Sequence, residues 1–229
     1  MMLRSTPVNK CLCLCALMSL LTIWPGKTGR AEDAIPDQAI FNDKLMLDGY
    51  TANFSKENLE TILAMIQDES LDGMKLAAAI RVLRTKYLDE IFYPGKKIVE
   101  KNLLRRLNLT DSPFVQVEIM HALCRMDRYR YYKTMVPALI QKLDHYNSAV
   151  NELAYESLNG LTLGHERATE ARIVFTTLRK VLFLSRRRLA NITEPNTRLK
   201  QKLQLLRWSI KILGTQELNR LPKEVIHLL

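Results

Sequence analysis

The chain has 229 residues, 47% of them hydrophobic and 7% aromatic, and its 34 Lys and Arg outnumber 24 Asp and Glu for a net charge of +10. That apolar content over that length buries a sizeable core and excludes an intrinsically disordered protein. Few aromatics, eight glycines and abundant Leu, Ala, Lys, Arg and Glu favour helix over sheet, so the composition predicts an all-α fold.

The N-terminus is ordered like a secretory signal peptide. Arg4 and Lys10 precede an apolar run from Cys11 to Trp24, and Pro25-Gly26 and a polar stretch then lead to Gly29-Arg30-Ala31. The run is shorter than the roughly 20 residues a helix needs to cross a bilayer. Gly29 and Ala31 put small residues where a signal peptidase reads, which predicts cleavage between Ala31 and Glu32. An uncleaved membrane anchor is the alternative. Lipid attachment at Cys15 is rejected, because Leu14 stands where a small residue is needed and the apolar run continues past the cysteine. Cys11, Cys13 and Cys15 leave with the leader, so the mature chain keeps Cys124 alone and no intramolecular disulfide is expected. Cys124 follows Val117 and Met120 at helical spacing and reads as a small buried apolar residue, with a reactive thiol as the minority reading.

Charge is unevenly spread. Residues 32–164 hold 16 basic and 19 acidic side chains, whereas residues 165–229 hold 14 basic and 5 acidic. A nearly neutral body therefore carries a basic C-terminal part, which suits an anionic partner.

Residues 32–54 show no sustained period and read as an N-terminal arm, with a short helix near Asp37 to Met46. Ser55 reads as the N-cap of a helix with Leu59, Ile62, Leu63 and Ile66 on one face. A second helix follows Leu71-Asp72-Gly73, contains Leu76, Ala79, Ile80, Leu83 and Tyr87, and stops at Tyr93-Pro94-Gly95. A third carries Ile98, Val99, Leu103, Leu104 and Leu107. Ser112-Pro113 opens a fourth, with Val115, Ile119, Ala122, Leu123 and Met126. Between Met135 and Leu163 two amphipathic helices, on Val136, Leu139, Ile140 and Leu143 and on Val150, Leu153, Ala154 and Leu158, flank a polar turn at Asp144 to Ser148. Beyond Gly164 the helices lengthen. One spans about 166–189, the next runs from Glu194-Pro195 to Gly214, and a last short helix follows Pro222.

The second helices of three successive pairs align without gaps as KLAAAIRVL (75–83), VQVEIMHAL (115–123) and VNELAYESL (150–158), at offsets of 40 and 35 residues. Each ends in Leu and is preceded by a polar turn. This pattern over residues 55–164 resembles the HEAT-repeat family, which implies a right-handed α-α superhelix with residues 165–229 as a longer, basic cap continuous with the repeats. The Arg that the family tends to place after the Val is Gln116 or Asn151 here, which departs from a particular HEAT subclass.

No catalytic pattern emerges. The glycines build neither a P-loop nor a dinucleotide fingerprint, and no G-x-S-x-G elbow occurs. His165-Glu166 begins like a zincin helix, but Thr169 stands where the second histidine belongs. His121 and Cys124 share a helix face, yet no third ligand is spaced to join them, so neither a metal nor a cofactor is expected. Asn53, Asn108 and Asn191 begin glycosylation sequons, each at a helix boundary where capping is the simpler account.

The candidate binding residues are cationic. Arg172, Arg179 and Arg186 recur every seventh position, and Lys180, Arg187 and Arg188 broaden the stripe. Its two readings are a face for phosphates or acidic groups and a solvated face that keeps an apolar helix soluble. Arg128, Arg130, Tyr131 and Tyr132, in a tract read as a turn between helices, interleave cations with rings, either as a binding surface or as packing over that turn.

Together these features predict an exported, secreted or periplasmic, non-enzymatic helical-repeat protein that binds or scaffolds a protein partner along a concave face or through its basic C-terminal helices. An anionic surface, membrane lipid or acidic protein, is a further partner. The alternative is a nucleic-acid-binding protein or enzyme, because some HEAT-like proteins are alkylpurine DNA glycosylases or bilin lyases. Export argues against the DNA substrate. A third possibility is a structural subunit of an envelope complex.

Overall fold

The computed structural model describes residues 36–126, 128–161 and 167–229, with side chains over 43–126, 132–161 and 167–229. The expected leader and its Ala31–Glu32 junction, the His165-Glu166 pair, and the side chains of Arg128, Arg130 and Tyr131 lie outside the described residues. The chain divides into two compact units, residues 1–43 and 44–229. Of the first, only the helical residues 36–43 are described.

Among the described residues all regular structure is helical. The helices are α1 (Pro36–Phe54), α2 (Leu59–Gln67), α3 (Gly73–Val82, continued by a π turn at Leu83–Tyr87), α4 (Gly95–Leu109), α5 (Pro113–Arg125), α6 (Arg128–Lys142) and α7 (Ser148–Asn159). They are followed by α8 (Ala168–Leu189), α9 (Thr197–Leu213), a 3-10 turn (Thr215–Arg220) and α10 (Lys223–Ile226). Side-chain oxygens of Asn58, Asp72, Asn147 and Asn196 accept the first free backbone N–H groups of α2, α3, α7 and α9, as short polar residues do at helix starts.

In residues 44–229 the helices pack as four consecutive pairs, α2/α3, α4/α5, α6/α7 and α8/α9. Each also touches its next-but-one neighbour, so α2, α4, α6 and α8 make one layer and α3, α5, α7 and α9 the other. The reason is elementary: every helix is apolar on one stripe, and alternate stacking lets all the stripes share one core. Ile62, Ile80, Leu103, Ile119, Val136, Val150, Leu178 and Leu206 from successive helices are all wholly buried.

Polar contacts between pairs recur at nearly constant sequence separation. Arg81 reaches Glu118 at a separation of 37, Arg125 reaches Asp89 at 36, Tyr146 donates to the Asp111 carbonyl at 35, and Cys124 donates to Ser157 Oγ at 33. Arg106 Nε donates to the Ile66 carbonyl at a separation of 40. The region at 165–229 follows the same plan: α8 packs on α6 and α9 on α7, so it forms a fourth, longer pair.

Several expectations change in detail. The arm is not mostly irregular, since α1 runs through Gly49 to Phe54. Over residues 43–54 its inward face is sparse, with Leu47 buried and Tyr50 and Phe54 packed against the core, so no clear period shows in that part of the sequence. Ser55 is not a cap: its hydroxyl donates to the Ala52 carbonyl, and Asn58 starts the next helix. The second helix of the first pair ends in the π turn, where Leu88 N–H bonds the Leu83 carbonyl. That turn keeps Leu83, Tyr87 and Leu88 all in the core. The tract at Arg128 to Tyr132 is the start of α6 and not a turn between helices. Pro137 lies inside that helix and forfeits one backbone bond. The buried Met135, Val136, Leu139 and Ile140 around it hold the helix together.

Gln116 and Asn151 occupy equivalent places and do equivalent work. Gln116 Nε2 donates to the Thr110 carbonyl at 2.7 Å, and Asn151 Nδ2 donates to the Leu143 carbonyl at 2.6 Å. Each buried amide therefore satisfies a carbonyl at the end of the preceding helix and fixes the tight turn inside its pair.

Candidate functional site

Arg81, Arg84, Arg105, Arg106 and Arg125 of the first three pairs are engaged within the stack. Glu118, only 4% exposed, accepts from Arg81 Nε at 2.8 Å and Nη2 at 2.6 Å and from Arg84 Nη2 at 3.2 Å. Arg81 Nη1 also reaches Asp48 at 2.8 Å. Arg105 pairs with Glu69 and Arg125 with Asp89. Such links tie neighbouring pairs together, while Lys96, Lys97, Lys101, Lys133 and Lys142 make no ion pair among the described residues.

Helix α8 differs. Ala171, Val174, Phe175, Leu178, Leu182 and Leu189 form its buried stripe, which sets the opposite face outward. On that face Phe183 is 50% and Leu184 84% exposed. Residues three and four positions away are neighbours on a helix surface. For Phe183 those are Arg179, Lys180, Arg186 and Arg187, all basic, and for Leu184 they are Lys180, Val181, Arg187 and Arg188. Two exposed apolar side chains thus sit inside a ring of cations. A hollow of about 520 Å³ lies between Arg179, Lys180, Phe183, Leu184 and Arg220.

The six cations predicted on α8 do not share one role. Arg172 is ion-paired at 2.6 Å with Glu217, a buried carboxylate that also takes Arg220 at 3.0 Å. The hydrogen bond from Arg220, reinforced by Arg172, holds the Glu217 carboxyl below the ordinary carboxylate range, against the opposing effect of burial. Arg172 and Glu217 therefore clamp the 3-10 turn to α8. Arg186 lies over the Phe183 ring, 4.1 Å from its centroid, and donates to the Phe183 carbonyl. Arg179, Lys180, Arg187 and Arg188 take part in no ion pair among the described residues.

A second hollow, about 780 Å³, lies between α8 and α9 and touches Asp144, Arg188, Arg198 and Lys202. Its cations are mostly engaged. Lys202 donates to Asp144 at 2.5 Å, and Arg198 donates to the Tyr146 and Asp144 carbonyls at 3.2 and 3.5 Å. It reads as a joint between pairs.

Of the aromatic-basic tract, Tyr132 is half-buried and packed against the core. Cys124 is half-buried, with its thiol 3.1 Å from Ser157 Oγ. Burial lowers the pKa of His121 on the same helix, with the Arg84 charge acting in the same sense. Among the described residues no group of three His, Cys, Asp or Glu side chains is placed to hold a metal ion, and no helix is long and apolar enough to cross a membrane. The role of Phe183 and Leu184 is not marked by the heptad spacing of the arginines. The signal in the sequence is that they sit outside the apolar stripe of their own helix.

The fold and this face define an all-helical protein built from stacked helix pairs, with a cationic–apolar surface on the last pair. No protein-family model, curated protein or solved structure matches the chain.

Proposed function

We propose that this chain is an exported, non-enzymatic protein of HEAT-like helical repeats that holds a negatively charged partner on the outer face of α8. The observation that carries the reading is the set Arg179, Lys180, Arg187 and Arg188. Elsewhere arginines such as Arg81, Arg84, Arg105 and Arg125 meet carboxylates, whereas these four surround exposed apolar side chains and meet none among the described residues. Leaving that much like charge unpaired on one face costs self-repulsion that a partner of opposite sign relieves. The repeat scaffold supports the binding role, since stacked helix pairs present broad surfaces and gain affinity from area and a few anchor residues. Export rests on the residue order of 1–31.

The test is capture from envelope extracts by the processed full-length protein, comparing it with a variant in which Arg179, Lys180, Arg187 and Arg188 are changed to Gln. Retention of a component by the parent and its loss from the variant supports the reading. Equal retention by both removes α8 as the binding face. Recovery of a mature chain that still begins at Met1 would refute export by cleavage after Ala31.

A further inference from the structure

We infer that the partner of the α8 face is the surface of a bilayer containing anionic phospholipid, with Phe183 and Leu184 entering the headgroup region and the surrounding cations holding lipid phosphates. This deepens the proposed function and rests on its assignment of α8 as the contact face.

Three features of the face favour a lipid surface over an acidic protein. The first is hydrogen-bonding chemistry. Arg179, Lys180, Arg187 and Arg188 supply only donors, and Arg and Lys side chains have no acceptor to offer in return. A layer of lipid phosphates offers only acceptors, whereas protein surfaces present both kinds.

The second is size. A stable protein interface removes on the order of 1,200–2,000 Å² from water around an apolar centre. Here the apolar centre is two side chains on the outward face of a single helix, at 50% and 84% exposure. Two such anchors are what a peripheral contact with a headgroup layer uses, with electrostatic attraction to anionic lipid adding to apolar burial.

The third is geometry. Arg179 to Arg188 spans about 13 Å along the helix axis at 1.5 Å per residue, with Phe183 and Leu184 midway. A helix lying flat on a membrane thus places cations ahead of, behind and beside the two apolar side chains. Their long apolar stems follow the rings and methyls inward while the charged ends stay at phosphate level. Arg186 differs from the others in holding its guanidinium over the Phe183 ring. The pairing of Arg172 and Arg220 with buried Glu217 keeps the flanking turn fixed beside the face.

The experiment is partitioning of the processed full-length protein onto phosphatidylcholine vesicles with and without phosphatidylglycerol, read by co-sedimentation at low and high salt. The expected result is binding only to the anionic vesicles, weakened by salt. Phe183→Ser with Leu184→Ser should lower the partition coefficient at least tenfold, from the lost burial of two large apolar side chains. Arg187→Gln with Arg188→Gln should lower it roughly twenty-fivefold, from about fivefold per cation near an anionic surface. Lys75→Gln with Lys86→Gln, exposed on α3, should leave it unchanged within about twofold. All these positions are surface-exposed, and far-UV circular dichroism checks that each variant stays folded.

Equal binding to neutral vesicles, no binding to either kind, or an unchanged partition coefficient for the Phe183/Leu184 variant each overturns the inference. So does an equal loss for the α3 variant, which would reduce the effect to overall charge. If vesicle binding is absent while the α8-dependent capture from extracts persists, the lipid inference fails and the α8 face stands with an acidic protein as its partner. If capture is also independent of α8, both fail.

Discussion

Removing the negative charge from Glu118 should unfasten the first two helix pairs from each other. Its carboxylate is 5% exposed and accepts three hydrogen bonds from two guanidinium groups, at 2.6, 2.8 and 3.2 Å. Glu118→Gln keeps the shape but leaves one neutral acceptor, and its new amide N–H groups face cations. A hydrogen bond to a charged group contributes about 1.5–3 kcal/mol, and breaking a buried pair costs about 3–5 kcal/mol. Arg81 and Arg84 are about a quarter exposed, so water recovers part of the loss, and an expected cost of about 3 kcal/mol follows. For a unit of this size, at about 2–4 °C per kcal/mol, the melting temperature should fall by roughly 6–12 °C. The assay is urea and thermal unfolding followed by far-UV circular dichroism, with a check that the urea slope is unchanged. Arg81→Met and Arg84→Met combined with Glu118→Met should recover most of the loss, because the three together remove the unpaired charges along with the pairs. A loss below about 1 kcal/mol for Glu118→Gln would refute the reasoning, since it would mean that the cluster is screened like an ordinary surface pair.

Other consequences are equally direct. Asn151→Ala should cost about 2 kcal/mol, because the buried Leu143 carbonyl loses its donor. Gln116→Ala should cost less, because Gln116 Oε1 is already without a partner; urea midpoints of the two variants check the order. Gly214, at φ 104° and ψ 154°, ends α9 in a conformation that side chains avoid, so Gly214→Ala should destabilise by about 1–3 kcal/mol in the same assay. The half-buried His145 takes the Asn147 backbone N–H at Nδ1, and burial, with the Lys142 charge, lowers its pKa. The folded state thus favours the neutral imidazole. Its contribution to stability is full above the ordinary histidine range and declines as pH falls through the lowered folded value. His145→Gln should therefore flatten the dependence of the urea midpoint on pH below about 6.5.

Local signals in the sequence carried over where local physics decides. Asp72 and Asn147 cap their helices and Pro113 opens α5 as short-range chemistry requires, although Ser112 makes no side-chain cap bond, and Leu59 to Ile66, Val115 to Met126 and Val136 to Leu143 keep the faces their spacing implies. The errors share a cause. Helix α1 is obscured because, among its described side chains, Leu47, Tyr50 and Phe54 face the core, too few for a period. The start of α6 was obscured because Pro137 imitates a helix boundary, while the packing that overrides it comes from other helices.

The candidate face shows the same division. The arginine stripe on α8 is plain in the sequence, and so is the excess of 14 basic over 5 acidic residues beyond Gly164. Which of those cations are spent is not. Arg172 and Glu217 are 45 residues apart, and no local pattern announces their pairing or exposes Phe183 and Leu184 beside the cations left over.

The sequence by itself determined the helical class, the period of the pairs and the sign of the C-terminal charge, because composition, apolar spacing and charge act within a few residues of chain. Only the tertiary structure decided that α8 and α9 continue the stack as a fourth pair, that Gln116 and Asn151 pin turns, and that Phe183 and Leu184 face solvent. Those outcomes depend on which helix covers which stripe, and that choice is made by contacts between residues some 30 to 60 positions apart.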